Sequence, residues 1–301
     1  MIISNKTPSG KTLLLTGATG FLGSHLAHAF LSAGYKVAIL KRSQSILSRI
    51  KQLLPDLYVF NIEDGIESPF KSLGRIDAVV HTATCYGRQG EESLEIFEAN
   101  TAFPVRLLEM AAFFNTDTCF NTNTILCKYL YAYSLSKRQF MEWGFFFSDE
   151  GKIRFVNIKL EHMYGADDSP SKFATYVIRA CLSNTDELKL TLGEQRRDFV
   201  HIDDVVSAYL LILTKAMGFE RGFFEFGVGT GTAVSIREFA NTVHRLANSQ
   251  TKLMFGAFPY REHETMYSVS DLTAILALGW RCHYDLEAGL KQVIEAERIK
   301  S

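Results

Sequence analysis

Cysteine is scarce and scattered. Five occur in 301 residues, at positions 85, 119, 127, 181 and 282, an odd number with no Cys-x-x-Cys pair. That excludes a disulfide framework and a zinc-ribbon spacing, and makes reduced thiols in a cytoplasmic protein the expectation. An excess of one charge is missing too. Against 32 Lys and Arg stand 33 Asp and Glu, well mixed, for a net charge of −1. Nothing in that balance supports nucleic acid or an anionic membrane as a partner. No apolar run reaches the roughly 18 residues that a membrane-spanning helix needs. Residues 1–10 are polar, unlike a secretory leader, and read as a loose tail. His25 and His28 share a helix face, but no third ligand is in view, so no metal site is expected.

What is present is an ordinary globular composition, 47% hydrophobic and 22% charged, which can fill a core without disorder. Strand and helix patterns alternate through the first half. Residues 12–16, 36–40, 58–61, 78–81, 118–121 and 153–160 read as strands. Residues 21–33, 92–114 (broken near Pro104) and 133–147 read as helices. Such alternation implies an α/β fold, a doubly wound parallel sheet with right-handed crossovers. After residue 160 the pattern loosens. A helix at 171–183 follows a Gly, Asp, Ser and Pro cluster, and 199–209 and 223–228 read as further sheet or sheet-flanking pieces. The expected division is a dinucleotide-binding domain, 11–160 with about 199–228, and a smaller discontinuous lobe, 161–198 with 229–301. That lobe is expected over the carboxyl ends of the strands, where such sheets bind ligands.

Two constellations carry chemistry. The first is Gly17-Ala18-Thr19-Gly20-Phe21-Leu22-Gly23, directly after the apolar Leu13-Leu14-Leu15. Glycines there let the backbone approach a pyrophosphate, and the following helix N-terminus offers unpaired amides. The second is Tyr133-Ser134-Leu135-Ser136-Lys137, about 110 residues on. Residues i and i+4 share a helix face. A phenol ordinarily ionises near pH 10, and an ammonium one turn away should lower that value. Together the two describe a nicotinamide-dependent enzyme with a tyrosine acid/base. The second strand ends in Lys41-Arg42-Ser43 rather than an acidic residue. Two cations and a hydroxyl suit the 2′-phosphate of NADPH better than the ribose hydroxyls of NAD.

The glycine spacing differs from Gly-x-Gly-x-x-Gly and resembles that of the extended short-chain dehydrogenase/reductases. The likeness runs through Thr16–Gly23, Asp77–Ala83, Tyr133–Lys137, Glu161–Gly165 and Arg197–Asp204. Within that branch the chain looks most like CDP-paratose and CDP-abequose synthases. Ala83 to Arg88, Leu160 to Gly165, Lys172-Phe173 and Gly193 to Phe199 carry that likeness.

The resemblance implies several roles. Thr82 and Ala83 line the cofactor, and Asn100 supports the site by hydrogen bonding. Thr122 takes the place of the catalytic Ser or Thr, with Thr124 as runner-up. Asn123 and Thr124 stand where dehydratases carry an Asp-Glu pair, and neither serves as an acid or base near neutrality, which argues against dehydration. Arg197 and Arg261 resemble the two pyrophosphate-binding arginines. Arg88 faces the sugar. His162 stands beside the substrate phosphates or is structural, and Lys172 and Phe173 lie along the nucleobase or pack the helix.

The implied function is NADPH-dependent reduction of the C4 ketone of a nucleotide-linked 4-keto-6-deoxy hexose, CDP-linked by preference. A dTDP-linked substrate, a 4-epimerase holding NAD, and a nucleotide-sensing protein without turnover are the alternatives. Relatives pair the helices near 100–112 and 133–147 in a four-helix dimer. Here Phe113, Phe114, Trp143, Phe145, Phe146 and Phe147 crowd their ends, so a homodimer is expected.

Overall fold

The computed structural model describes residues 10–299. All of the 1–10 tail but Gly10 therefore lies outside the described residues. The chain divides into two compact units. One takes the residues up to Lys159 together with Ala208–Phe226, the other Leu160–Ser207 together with the residues from Gly227 on. Residues 199–207, assigned above with the first domain, fall in the second unit.

The first unit is built on a seven-stranded sheet. In chain order its strands are β1 (Thr12–Thr16), β2 (Lys36–Lys41), β3 (Leu57–Asn61), β4 (Ala78–His81), β5 (Thr118–Thr124), β6 (Arg154–Leu160) and, farther along, β10 (Phe223–Val228). Their order in space is β10-β6-β5-β4-β1-β2-β3, a doubly wound sheet whose order reverses between β1 and β4. Leu14 stands opposite both Ala38 and Val79 in parallel register. All five residues of β1 are buried, as a central parallel strand requires. The amides of Phe155 in β6 and of Glu161 just after it donate to the Gly222 and Val228 carbonyls, so β10 runs the same way as β6.

Helix α1 (Phe21–Ser32) follows the glycine turn, and the short α2 (Ser68–Leu73) precedes β4. The 92–114 stretch is helical, as expected, but its irregularity lies before Pro104. Helix α3 (Ser93–Phe97) passes into a π-helical turn at Glu98–Ala102, and α4 (Phe103–Phe113) begins with Pro104 in its first turn. Proline there removes an amide that a helix start leaves unpaired anyway. Helix α5 (Ala132–Asp149) buries Lys137, Phe140, Gly144 and Phe147. That stripe recurs every three or four residues, the helical period.

The second unit holds β7 (His162–Tyr164), β8 (Glu187–Leu190), β9 (Arg196–His201), β11 (Ala233–Ser235) and β12 (Lys252–Phe255), in sheets of order β11-β9-β7 and β12-β8. Its helices include α6 (Phe173–Leu182), α8 (Ile236–Ala247), the short α9 (Thr273–Ala277) and α10 (Leu286–Arg298). Tyr164, Phe199 and Phe239 centre its core. The 199–209 stretch splits: the strand ends at His201 and helix α7 (Ile202–Ala216) starts at once. No helix among the described residues is long and apolar enough to cross a membrane.

Candidate active site

The glycine turn sits where the sheet order reverses, the place where doubly wound sheets bind ligands. Gly17 has φ +76°, and a Cβ there would come within 2.6 Å of both the Ala83 amide nitrogen and Thr82 Oγ1. Thr82 Oγ1 donates to the Thr16 carbonyl at 2.8 Å, so β1 and β4 are tied side by side. At Gly23 a Cβ would lie 2.1 Å from the Gly17 carbonyl oxygen. These two glycines are thus demanded by protein packing. Gly20 is different. It is exposed, and a Cβ there would meet only the Gly17 oxygen, at 3.2 Å. No side chain caps α1, and its first turn carries no acidic residue. Unpaired amides behind an open glycine fit a dinucleotide pyrophosphate. Phe21 and Thr19 are half-buried beside it and Leu22 is buried.

The tyrosine–lysine pair lies at the start of α5. The Tyr133 phenol lies beside Thr124 and within the field of Arg88. The Tyr86 ring packs on Tyr133, with centroids 5.1 Å apart, and Arg88 lies over Tyr86 at 5.2 Å. Thr122 does not reach this cluster. Its hydroxyl is 2.6 Å from the buried Tyr209 hydroxyl on α7. Thr124, the runner-up, is therefore the threonine beside the phenol, while Thr122 is engaged by Tyr209. Both side chains leave β5 on one face, and a two-residue step along the strand decides which meets α5. Thr124 Oγ1 also accepts from the Leu126 amide at 3.2 Å.

The expected electrostatics need correction as well. Burial, the largest influence, raises the Tyr133 pKa; Tyr86 adds to the rise, while Thr124 and Arg88 oppose it. Burial lowers Lys137 to about 7. Desolvation favours the neutral form of each group and here outweighs the attraction that an exposed ammonium would exert. His81 lies in the same core, its Nδ1 2.8 Å from Thr16 Oγ1, and burial drives its pKa well below the ordinary value. It packs edge-on against Phe140, a structural placement.

Asn100, in the π-helical turn, braces the site. Its Oδ1 accepts from the Cys85 amide (2.7 Å) and Thr84 hydroxyl (3.2 Å). Its Nδ2 donates to the Cys85 carbonyl (2.8 Å) and Ser136 Oγ (3.1 Å). An amide side chain has no more to give, so Asn100, expected among the cofactor-binding residues, is here committed to Thr84, Cys85 and Ser136. Widened turns of this kind recur at functional sites.

The basic turn after β2 is more occupied than its sequence suggests. Lys41 Nζ donates to Asn61 Oδ1 at 2.8 Å. The Ser43 amide donates to both oxygens of Glu63, at 3.2 and 3.0 Å. Arg42 is exposed. Arg49, a residue that sequence reasoning passed over, lies over the Phe21 ring at 5.9 Å. Its neighbours in sequence carry no motif, and only the chain's return toward α1 brings it there.

The residues expected to meet the substrate's nucleotide and diphosphate lie in the second unit. Arg197 is buried on β9, pairs with Glu264 and donates to the Arg196 carbonyl at 2.8 Å. Arg261 is exposed, three residues before Glu264. His162 Nδ1 is 3.0 Å from the buried Glu161 carboxylate, which also accepts from Ser268 at 2.8 Å. Phe173 packs against Phe239 (5.5 Å) and Phe199 (6.3 Å), an aromatic cluster that takes up much of its ring. Lys172 stands at the N-cap of α6. Thus the structure brings Arg88, Thr124 and Tyr133 together, buries Lys137 one turn farther along α5 near His81, ties His162 to Glu161, and sets Phe173 partly into the core.

The family model described as "NAD dependent epimerase/dehydratase family" matches residues 13–223. A CDP-abequose synthase of Salmonella muenchen is 36% identical over 291 residues, covering 94% of this chain and 97% of that protein. Among solved structures, a UDP-glucose 4-epimerase of Thermotoga maritima with UDP-glucose has a TM-score of 0.84 at 22% identity, over 96% of this chain and 99% of the other. A UDP-glucose 4-epimerase of Thermus thermophilus complexed with NAD has a TM-score of 0.82 at 20% identity, over 95% and 99%. With the glycine cradle, the tyrosine–lysine pair and a family match spanning most of its length, the chain belongs to the NAD dependent epimerase/dehydratase family.

Proposed function

We propose that this chain is an NADPH-dependent reductase of the C4 ketone of a nucleotide-linked 4-keto-6-deoxy hexose, CDP-linked by preference. A nicotinamide cofactor, when bound, supplies the hydride. Gly17, Gly20 and Gly23 with the start of α1 hold its pyrophosphate, Lys41, Arg42 and Ser43 its 2′-phosphate, and Lys137 its nicotinamide ribose. The observation that carries the reading is the half-buried Tyr133 phenol, set beside Thr124 and held protonated by its surroundings. A phenol that keeps its proton is the acid a ketone oxygen needs as it gains negative charge. Thr124 steadies that oxygen with a hydrogen bond. Lys137, poised at about 7, can return a proton to the phenolate near neutrality. The likeness to a CDP-abequose synthase supports the CDP-linked substrate. In the second unit Arg197 and Arg261 are the proposed diphosphate ligands.

Incubation with NADPH and a panel of CDP- and dTDP-linked 4-keto sugars, with NMR of the product, tests this reading. Absence of reduction across the panel would reject it. The fold shared with UDP-glucose 4-epimerases supports a second reading, a 4-epimerase with tightly held NAD. Protein that retains NAD through purification would favour that reading; an empty site that titrates with NADPH favours the reductase.

A further inference from the structure

The turn after β2 already carries an anion of the protein's own. The Ser43 amide points at the Glu63 carboxylate and bonds both of its oxygens, at 3.2 and 3.0 Å. One residue to either side of Arg42, the same turn offers Lys41 and Ser43. Lys41 Nζ is drawn to Asn61 Oδ1 at 2.8 Å, and Asn61 Nδ2 donates onward to Asp64 at 3.1 Å. The short 3₁₀ turn Ile62–Asp64 at the end of β3 therefore folds against the basic turn. A two-oxygen acceptor on a backbone amide between cations is the arrangement that one edge of a phosphate presents. Glu63 is exposed, so it can leave at the cost of an exposed contact only.

We propose that Glu63 is a specificity-determining residue of the cofactor site, competing with the adenosine 2′-phosphate for the Ser43 amide. Its carboxylate holds NADPH affinity below what Lys41, Arg42 and Ser43 would supply alone. The inference rests on the NADPH reading above. It also reverses the sign expected of an acidic side chain that accepts the ribose hydroxyls of NADH, where losing the carboxylate would weaken binding.

The test is a binding titration of the full chain with NADPH, NADH and adenosine 2′,5′-bisphosphate, followed by protein fluorescence. Glu63→Gln should tighten NADPH and the bisphosphate about fivefold, the factor an exposed charge contact of ordinary strength supplies. NADH should stay within about twofold. A Glu63→Gln protein that binds NADPH no more tightly overturns the proposal, and so does one that loses NADH. The Lys41→Ala/Arg42→Ala protein separates the two levels. If it loses NADPH selectively while Glu63→Gln changes nothing, the phosphate seat stands and the role of Glu63 fails. If it loses both cofactors equally, the seat itself fails and the inference with it.

Discussion

Tyr133 and Lys137 share one cause for their unusual acidity, because each sits where water does not solvate its charge. The phenol moves up and the ammonium comes down to about 7. Tyr133→Phe keeps the ring and removes the proton, so turnover should fall by at least about a hundredfold, as for loss of a general acid. Cofactor affinity measured by titration should hardly change. For Thr124→Val the expected loss in kcat is on the order of a hundredfold, the scale of one hydrogen bond to a developing oxyanion. Thr122→Val should mainly cost stability, about 1 kcal/mol for the lost bond to Tyr209. Equal kcat losses in the two variants would undo the choice between them.

Lys137 makes a further prediction whose sign follows from linkage. Its pKa is depressed in the folded protein, so the unfolded chain binds more protons between about pH 7 and about pH 10.5. Stability from this residue therefore rises with pH across that window, and the cost of burying its charge is fully present below it. Lys137→Met should raise the melting temperature most near neutrality and below, with a smaller gain as pH approaches 10. Calorimetry at both ends of the window checks this, and a gain independent of pH would contradict it.

At the scale of elements, the site depends on how closely α5 lies on the sheet. A Cβ at Gly144 would come within 2.2 Å of the Phe155 ring on β6. Phe155 is wholly buried, stacked on Phe223 and edge-on to Phe140, so it has nowhere to go. Gly144→Ala should destabilise the protein by about 1–3 kcal/mol, the usual cost of overpacking. The altered tilt of α5 should also reduce kcat, since Tyr133 and Lys137 ride on that helix. A denaturant midpoint equal to that of the unaltered protein would show that the helix has room to shift. The π-helical turn is a second control at this scale. Its Asn100 joins Cys85, in the loop after β4, to Ser136, and no periodicity in 92–114 announces a widened turn. The sequence shows only a helix and a proline, which marks where the regular helix breaks but not that the break is a π-helical turn.

At the scale of the whole molecule, the outer faces of α4 and α5 leave aromatic surface in solvent. Phe113 is 74% exposed, Phe145 53%, Phe146 47% and Trp143 46%, whereas Phe147 is buried and Phe114 packs on Phe70. An open groove of about 360 Å³, lined by Arg138, Met141, Glu142, Phe145, Phe223 and Glu225, lies on the same helix. Apolar surface gathered in one place is uncommon on monomers, and a twofold pairing of these helices is proposed to cover it. Light scattering at micromolar concentration should give a dimer, and Trp143→Glu with Phe146→Glu a monomer. A monomeric unaltered protein would count against the pairing. The diphosphate proposal belongs to this scale too, since a nearly neutral chain must meet two negative charges locally. Arg197→Ala should raise KM by roughly the 2–5 kcal/mol typical of truncating a buried charge pair. Its kcat should change less, and Arg197→Lys should recover only part. Unchanged KM with a crippled kcat would move Arg197 to the chemistry.

The amino-acid sequence by itself determined the elements and the motifs. Its strands are short apolar runs and its helices keep a helical period, so β1 and β4 lie where the pattern put them. The glycine turn and the Tyr133/Lys137 pair are local in sequence, and their chemistry could be read there. Tertiary structure decided whatever depends on partners distant along the chain. Thr122 and Thr124 have the same character in sequence, and only the fold gives Thr122 its partner Tyr209, 87 residues away. The direction of the Tyr133 shift depends on burial, which spacing cannot express. The basic turn reads as free cations until Asn61 and Glu63, each 20 residues on from its partner, close upon it. Electrostatics and hydrogen bonding act through space, and the fold, not the order of residues, sets those distances.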